Sequence, residues 1–221
     1  MSTPFTVQLE KSYERQVLFA VELLDAVTMT RVSQGVKVVA EGLQGKPIVN
    51  ASGCFVWLIE NNATIQKISV ETGVLPYEDQ ELDGSQVTRP LTRLQLQPTV
   101  EYPFAAGITG LRGTLIERNT PPREPVAGAE VHLRWLDDNG NWNDALTASK
   151  TKDKSGDFVS ILRLDPKQKP DIDASGAVTV RLQVTRNGST RSSNNLSLLQ
   201  GRITDPTVLN TLTFAWDELQ P

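Results

Sequence analysis

Apolar and polar residues alternate with a period of two along most of this chain. Near the start, Val17, Phe19, Val21 and Leu23 fall on one face of a predicted strand. The same alternation recurs at residues 36–40, 55–59, 131–136, 178–185 and 211–216. Such a pattern is typical of antiparallel strands that bury one face against a second sheet. No window of sufficient length shows an apolar period of 3.6 residues, so the sequence predicts an all-β protein.

Short turn signals separate these runs. Asp138-Asn139-Gly140, Ser155-Gly156 and Asn187-Gly188 place glycine or asparagine where a tight hairpin needs a positive φ angle. The strongest prediction is a hairpin at Asn187-Gly188, which follows the regular alternation of residues 178–185.

An imperfect internal repeat sets the expected domain organisation. Residues 21–59 and 113–162 share a strand, a turn, a glycine before a second strand (Gly35 and Gly128), and a Ser-Gly-x-Phe-Val turn (around Gly53 and Gly156). We therefore expect two tandem antiparallel β-sandwich domains. The expected segments are an N-terminal arm at 1–15, domains at 16–103 and 107–216, and a tail at 217–221.

The second copy carries three recognisable segments in order. They are Gly110-Leu111-Arg112-Gly113-Thr114-Leu115, Glu124-Pro125-Val126-Ala127-Gly128-Ala129-Glu130-Val131 and Thr151-Lys152-Asp153-Lys154-Ser155-Gly156-Asp157-Phe158. Together they resemble the carboxypeptidase regulatory-like (transthyretin-like) domain over residues 108–165. The resemblance implies an Ig-like or transthyretin-like sandwich that serves as a spacer, a folding accessory or a binding module, without peptidase chemistry. The first copy has Arg31 in place of the proline, and only the repeat makes it a divergent sister.

Charge and composition exclude some classes of partner. The net charge of −4 argues against a general nucleic-acid binder, which needs a basic surface. No apolar stretch approaches the roughly 20 residues of a membrane helix, and residues 1–15 do not have the pattern of a signal peptide. The expected location is the cytoplasm at synthesis, with later inclusion in a released particle as an option.

Few residues carry chemistry, and each has a plainer structural interpretation. His132, the only histidine, lies on the polar phase of a predicted strand, and Cys54, the only cysteine, follows a Ser-Gly turn. Asp137-Asp138-Asn139-Gly140-Asn141 has alternating oxygen ligands but not the spacing of a calcium loop, which favours a polar hairpin. We expect no catalytic residues, no metal and no cofactor.

Two segments are candidate contact surfaces. Trp57 and Trp135 share the phase of apolar neighbours and are expected in the core, whereas Trp142 is expected to lie in an Asn-rich loop and to be the most exposed tryptophan. In the N-terminal arm, Phe5, Val7 and Leu9 alternate with polar residues. This arm and the tail at 217–221 can each add to an open sheet edge of a neighbouring subunit, although frayed ends are an equal alternative.

Three classes of function follow, in order of preference. The first is a non-catalytic structural or interaction protein with protein partners, by self-assembly or hetero-assembly, for example a subunit of a bacterial phage-tail-like or contractile injection particle. The second is a sugar- or peptide-binding module that uses Trp142. The third is a hydrolase whose site forms only in three dimensions.

Overall fold

The protein is all-β, as expected, in a computed structural model that describes residues 16–58, 64–87, 90–164, 167–205 and 212–221. The strands are β1 (Val17–Asp25), β2 (Lys37–Glu41), β3 (Ile48–Val49), β4 (Phe55–Leu58), β5 (Lys67–Glu71), β6 (Gln80–Asp83), β7 (Leu91–Leu96), β8 (Gly110–Ile116), β9 (Glu130–Leu136), β10 (Trp142–Lys150), β11 (Asp157–Ile161), β12 (Ala177–Arg186), β13 (Ser189–Ser192), β14 (Leu196–Leu199), β15 (Ile203–Thr204) and β16 (Thr213–Ala215). Two single-turn 3₁₀ helices occupy Gly84–Gln86 and Trp216–Glu218. Within the described ranges, no helix has the length and hydrophobicity to cross a membrane.

The strands before residue 97 form two sheets. One has the order β3-β4-β1-β7, in which β1 pairs antiparallel with β4 and parallel with β7. The other is the antiparallel sheet β2-β5-β6. Phe19, Leu23 and Trp57 from the first sheet and Ile68 and Val70 from the second belong to one buried cluster. The two sheets therefore pack face to face, as a sandwich.

The strands after residue 109 form a second pair of sheets. The larger sheet has the order β10-β9-β12-β13, and β14 also pairs with β12. In the smaller sheet β8 pairs antiparallel with β11 and parallel with both β15 and β16. Leu115 and Phe158 from the smaller sheet meet Leu133, Trp135 and Leu182 from the larger one in a second buried cluster. The prediction that Trp57 and Trp135 are core residues is confirmed, since they are 3% and 1% exposed.

The two halves repeat the same pairing scheme. In each, the first strand pairs antiparallel with the strand after the Ser-Gly turn (β1 with β4, β8 with β11) and parallel with the last strand (β1 with β7, β8 with β16). The bridge between Leu24 and Arg31 in the first half corresponds to the bridge between Ile116 and Pro125 in the second. The parallel pairs differ from the antiparallel sheets that alternation predicted, because a period of two is the same for both strand directions. The predicted domain boundaries themselves stay a prediction.

The phase of β1 departs from the prediction at its first residue. Val17 was expected on the same face as Phe19, but the ladder shifts between these two residues, as in a β-bulge. Val17 consequently lies opposite Leu58 and is 52% exposed, whereas Phe19 is 2% exposed. A bulge adds one residue to a strand and so moves the residues before it to the other face.

The predicted hairpin is confirmed. Strands β12 and β13 pair antiparallel, with Arg186 opposite Ser189. The two residues between them, Asn187 and Gly188, have φ angles of 49° and 76°. Positive φ at both central positions is the requirement of a two-residue type I′ turn, which asparagine and glycine meet most easily.

Candidate interaction surfaces

The outward side of the sheet β3-β4-β1-β7 carries a group of apolar side chains. Residues that are paired across neighbouring strands point to the same face. Val17 pairs with Leu58, Ala20 with both Val56 and Leu91, and Ile48 with Val56. The six residues point away from the core residues Phe19, Val21 and Leu23 of β1. We call them the outer apolar face: Val17, Ala20, Ile48, Val56, Leu58 and Leu91.

Three members of the outer apolar face are strongly exposed. Val17 is 52% exposed, Ile48 is 49% exposed and Leu91 is 41% exposed. Val56, which pairs with residues of both neighbouring strands, is 8% exposed and forms the floor of this surface. Single exposed apolar residues are normal, but a contiguous group spread over four adjacent strands is typical of a contact surface.

A buried carboxylate borders the outer apolar face. Glu22 lies two residues beyond Ala20, and Arg93, opposite Glu22 on β7, donates from Nε to its Oε2 at 2.7 Å. Arg31 binds the other carboxylate oxygen, Oε1, and also donates to the carbonyl oxygen of Ser52. The hydrogen bonds from Arg93 and then Arg31 lower the pKa of the Glu22 carboxyl. Two guanidinium groups against one carboxylate leave a surplus positive charge at this border.

A second buried carboxylate lies where the two halves meet. Asp25 ends β1 and is 3% exposed. Its Oδ1 accepts hydrogen bonds from the backbone N–H groups of Val27 (2.7 Å) and Thr28 (3.2 Å). Its Oδ2 accepts from the hydroxyls of Tyr102 (2.6 Å) and Tyr77 (3.1 Å).

The environment of Asp25 keeps it ionised. Burial alone would raise its pKa, but the hydrogen bonds from Tyr102, Val27 and Thr28 together outweigh burial, so the pKa of Asp25 lies below its ordinary value. Burial, together with the negative charge of Asp25, raises the pKa of Tyr77 to about 12 and that of Tyr102 further still. A carboxylate that accepts four hydrogen bonds is well suited to holding a segment in place and poorly suited to accepting a proton from a substrate.

Tyr102 joins the two halves of the chain. Its hydroxyl binds Asp25 of β1, while its backbone carbonyl accepts a hydrogen bond from Nη2 of Arg112 in β8 at 2.9 Å. The guanidinium of Arg112 also lies 5.4 Å above the ring of Phe104. A further contact runs from Nη1 of Arg163 to the carbonyl oxygen of Ala26, at 3.1 Å. The segment between β7 and β8 is thus held from both sides.

A cleft of about 500 Å³ lies beside this junction, with Glu78, Asp79 and Glu81 on one wall and Glu130 and Lys150 on the other. Most of its carboxylates already have partners within the chain. Asp79 accepts hydrogen bonds from the N–H and hydroxyl of Thr72, Glu81 pairs with Lys67, and Glu130 contacts His132. Burial raises the pKa of Glu78, Lys152 opposes that effect, and Glu101 adds to it. The hydroxyl of Ser149, which also lines the cleft, is buried and has no hydrogen-bond partner among the described residues.

Trp142 is in a different position from the one expected. It begins β10 instead of lying in the preceding loop, and it is intermediate in exposure, as is Trp216. The guanidinium of Arg181 covers one face of its ring at 4.3 Å and is itself held by Oδ1 of Asn195 at 2.7 Å. The indole ring therefore offers one free face at most for stacking.

His132, Cys54 and Asp137 each have contacts or burial that fit the structural interpretation given from the sequence. His132 contacts Glu130 at 3.0 Å on the outward side of β9, in the polar phase that was predicted, and Cys54 is buried. Oδ1 of Asp137 accepts from the N–H groups of Asn139 and Asn141, which closes a polar hairpin loop. In the ranges that the structure covers, no group of three or more His, Cys, Asp or Glu residues could hold a metal ion.

Sequence reasoning missed both carboxylates of β1. Asp25 has the same phase as Phe19, Val21 and Leu23, and a carboxylate in phase with core residues was the available signal. The outer apolar face could not be found in this way, because it depends on which strands are neighbours. Phe5, Val7 and Leu9 of the predicted arm lie outside the described residues.

Comparison with known proteins adds no family. No family model matches the chain, and no curated protein is similar enough to count as a relative.

Proposed function

We propose that this chain is a non-catalytic structural subunit that acts through protein–protein contacts, and that the outer apolar face is its main contact surface. The observation that carries the proposal is the exposure of Val17, Ile48 and Leu91 on one sheet face. Full burial of a large aliphatic side chain contributes roughly 1.5–3 kcal/mol, and these side chains, which are about half exposed, can contribute about half of that on contact with a partner. Apolar residues grouped in this way are typical of the centre of an interface.

The internal organisation of the chain supports the same function. Asp25 and Glu22 are both engaged with donors of the chain itself, and their contacts tie strands and the junction segment together. In each half the first strand pairs parallel with the last one, and the two sandwiches that we propose suit a spacer role. A bacterial phage-tail-like or contractile injection particle, put together in the cytoplasm, is the kind of assembly that we propose, and a carboxypeptidase regulatory-like second half fits a spacer role by analogy.

The test is the mass of the purified chain in solution. We expect light scattering across a concentration series to give a discrete oligomer for the wild-type chain and a monomer for I48D/L91D. The matched control is V74D, since Val74 is 99% exposed in the loop after β5, away from the outer apolar face. A wild-type chain that stays monomeric at every concentration would contradict self-assembly, and an equal effect of V74D would contradict the choice of surface.

A second candidate is glycan or peptide binding by the outward side of the larger sheet. Trp142, Arg181 and Asn195 are held together there by stacking and a hydrogen bond. If this surface binds sugars, titration with glycans should give a micromolar-to-millimolar affinity that W142A abolishes and that W216A leaves unchanged. An unchanged affinity in W142A would exclude it.

A further inference from the structure

We propose that residues 5–9 of one copy of this chain pack on the outer apolar face of a second copy. The inference rests on the proposed function, because it names the partner of the same surface. In this arrangement the arm contacts the face of a sheet, from Ile48 on β3 to Leu91 on β7, and does not pair with a sheet edge.

The dimensions of the two surfaces agree. Phe5, Val7 and Leu9 alternate with Thr6 and Gln8, so an extended segment presents three apolar side chains on one side. At about 3.3 Å per residue, they span about 13 Å. The outer apolar face extends across four strands from β3 to β7, which is about 14 Å at the usual spacing of about 4.8 Å between strands.

The sequence between the arm and β1 indicates that the face belongs to another copy. Residues 10–15 are Glu-Lys-Ser-Tyr-Glu-Arg; Ser12 is the one residue of a type common in turns, and Gly, Pro, Asn and Asp are absent. Since Val17 is itself part of the outer apolar face, an arm that covered its own face would have to reverse within these residues. Without a reversal, the seven residue-to-residue steps from Leu9 to Gln16 can reach up to about 24 Å away from the sheet.

Charge is complementary at the border of the surface. Glu22 is shared by Arg31 and Arg93, whose side chains are 45% and 69% exposed, so this border carries a surplus positive charge. Glu10 follows directly after Leu9 in the arm. A copy whose Leu9 lies near Leu91 places this carboxylate near Arg93, two residues further along β7.

The contact is heterologous, since an arm of one copy meets a face of the next. Each copy then offers one free arm and one free face, and such contacts continue into a ring or an open filament. A ring or filament of identical subunits fits the assembly proposed above.

Light scattering on two pairs of full-length variants tests the proposal. F5D/L9D replaces two apolar side chains of the arm by carboxylates. Its control, T6D/Q8D, adds the same charge on the opposite side of the segment. I48D/L91D places two carboxylates on the outer apolar face. We expect F5D/L9D and I48D/L91D to weaken self-association on the order of tenfold or more, while T6D/Q8D behaves as the wild type.

Mixing gives the decisive result. The I48D/L91D chain keeps its arm and the F5D/L9D chain keeps its face, so the mixture should form a species of twice the monomer mass that grows no further. No such species on mixing would overturn the proposal. If I48D/L91D dissociates and F5D/L9D does not, the face is an interface but the arm is not its occupant, and only this inference fails. A monomeric wild-type chain would overturn both it and the proposed self-assembly, and circular dichroism of each variant verifies its fold.

Discussion

Two carboxylates of β1 are buried for different reasons. Glu22 is on the outward side and is buried because two long arginine side chains cover it, whereas Asp25 is in the core phase at the end of the strand. Four donors from three parts of the chain converge on Asp25: its own turn, Tyr77 and Tyr102. A single residue therefore links β1 to the junction segment.

Replacing Asp25 tests this link. D25N keeps the shape but removes the charge and one acceptor oxygen, so we expect it to lower the free energy of unfolding by about 2 kcal/mol. Because the pKa of Asp25 is lowered in the folded chain, its contribution is fully present above the ordinary value of about 3.9 and is lost as the pH falls through the lower folded value. Denaturant unfolding at pH 7 and at acidic pH measures both effects.

The exposed Asp171 provides the control for this experiment. D171N should change stability by less than about 0.5 kcal/mol. Equal stability of D25N and the wild-type chain at pH 7 would show that the charge and the second acceptor oxygen of Asp25 contribute nothing net.

The hydrogen bond from Tyr77 to Asp25 is expected to be lost at high pH. Its pKa is raised to about 12, so the stability that it contributes is present below the ordinary tyrosine value of about 10 and is lost as the pH rises towards 12. An ultraviolet titration of phenolate should show that Y77F lacks a group that ionises well above pH 10 in the wild-type chain. If the group that disappears titrates near pH 10, the hydrogen bond to Asp25 is not formed.

At the scale of elements, the repeat depends on paired glycines. Gly35 and Gly128 have φ angles of 73° and 64°, and Gly53 and Gly156 have 77° and 70°. The equivalent positions share a backbone conformation that other residues adopt at a cost of roughly 1–2 kcal/mol. The positive φ angle thus explains why glycine recurs at these positions of the repeat. The space around the glycines differs: a Cβ on Gly156 would lie 2.2 Å from the carbonyl oxygen of Leu115, and one on Gly53 would lie 3.3 Å from Cβ of Ser33.

The tight position of Gly156 predicts a large effect of a single methyl group. G156A should destabilise the chain by about 3 kcal/mol or more, because strain of the backbone adds to a clash with β8. Gly176 also has a positive φ, of 81°, but its Cβ would meet no atom within 4 Å. G176A should therefore cost about 1 kcal/mol, and equal urea midpoints for the two variants would contradict this explanation.

At the scale of the whole molecule, buried apolar side chains form two clusters, one within residues 19–96 and one within residues 111–219. The junction adds polar contacts through Tyr102, Arg112 and Arg163. A polar junction between two apolar cores favours halves that lose structure separately.

Core truncation in each half tests this separation. L133A should cost about 3 kcal/mol and accelerate amide hydrogen exchange in β8–β12 while leaving β1–β7 protected. L23A should produce the reverse pattern, since Leu133 and Leu23 are both 0% exposed in different clusters. Uniform acceleration by either variant would show one cooperative unit and would contradict the predicted tandem domains.

The fold class, the strands with regular alternation and the principal turns follow from the amino-acid sequence alone. Period-two alternation requires only that each strand has one buried face. The positive φ angles at Asn187-Gly188 and at the repeated glycines are indicated by the residue types themselves. Trp57 and Trp135 were assigned to the core from the same local signal. The short strands β5, β6 and β7 did not stand out, because four to six residues with mixed burial carry little periodicity.

Which strands are neighbours is seen only in the folded chain, and the candidate surfaces follow from that order. The bulge that turns Val17 outward and the parallel pairing of β1 with β7 together create the outer apolar face. The convergence of Tyr77 and Tyr102 on Asp25 joins residues 52 and 77 positions apart. Contacts at such separations depend on strand order and register, which alternation along the chain does not encode.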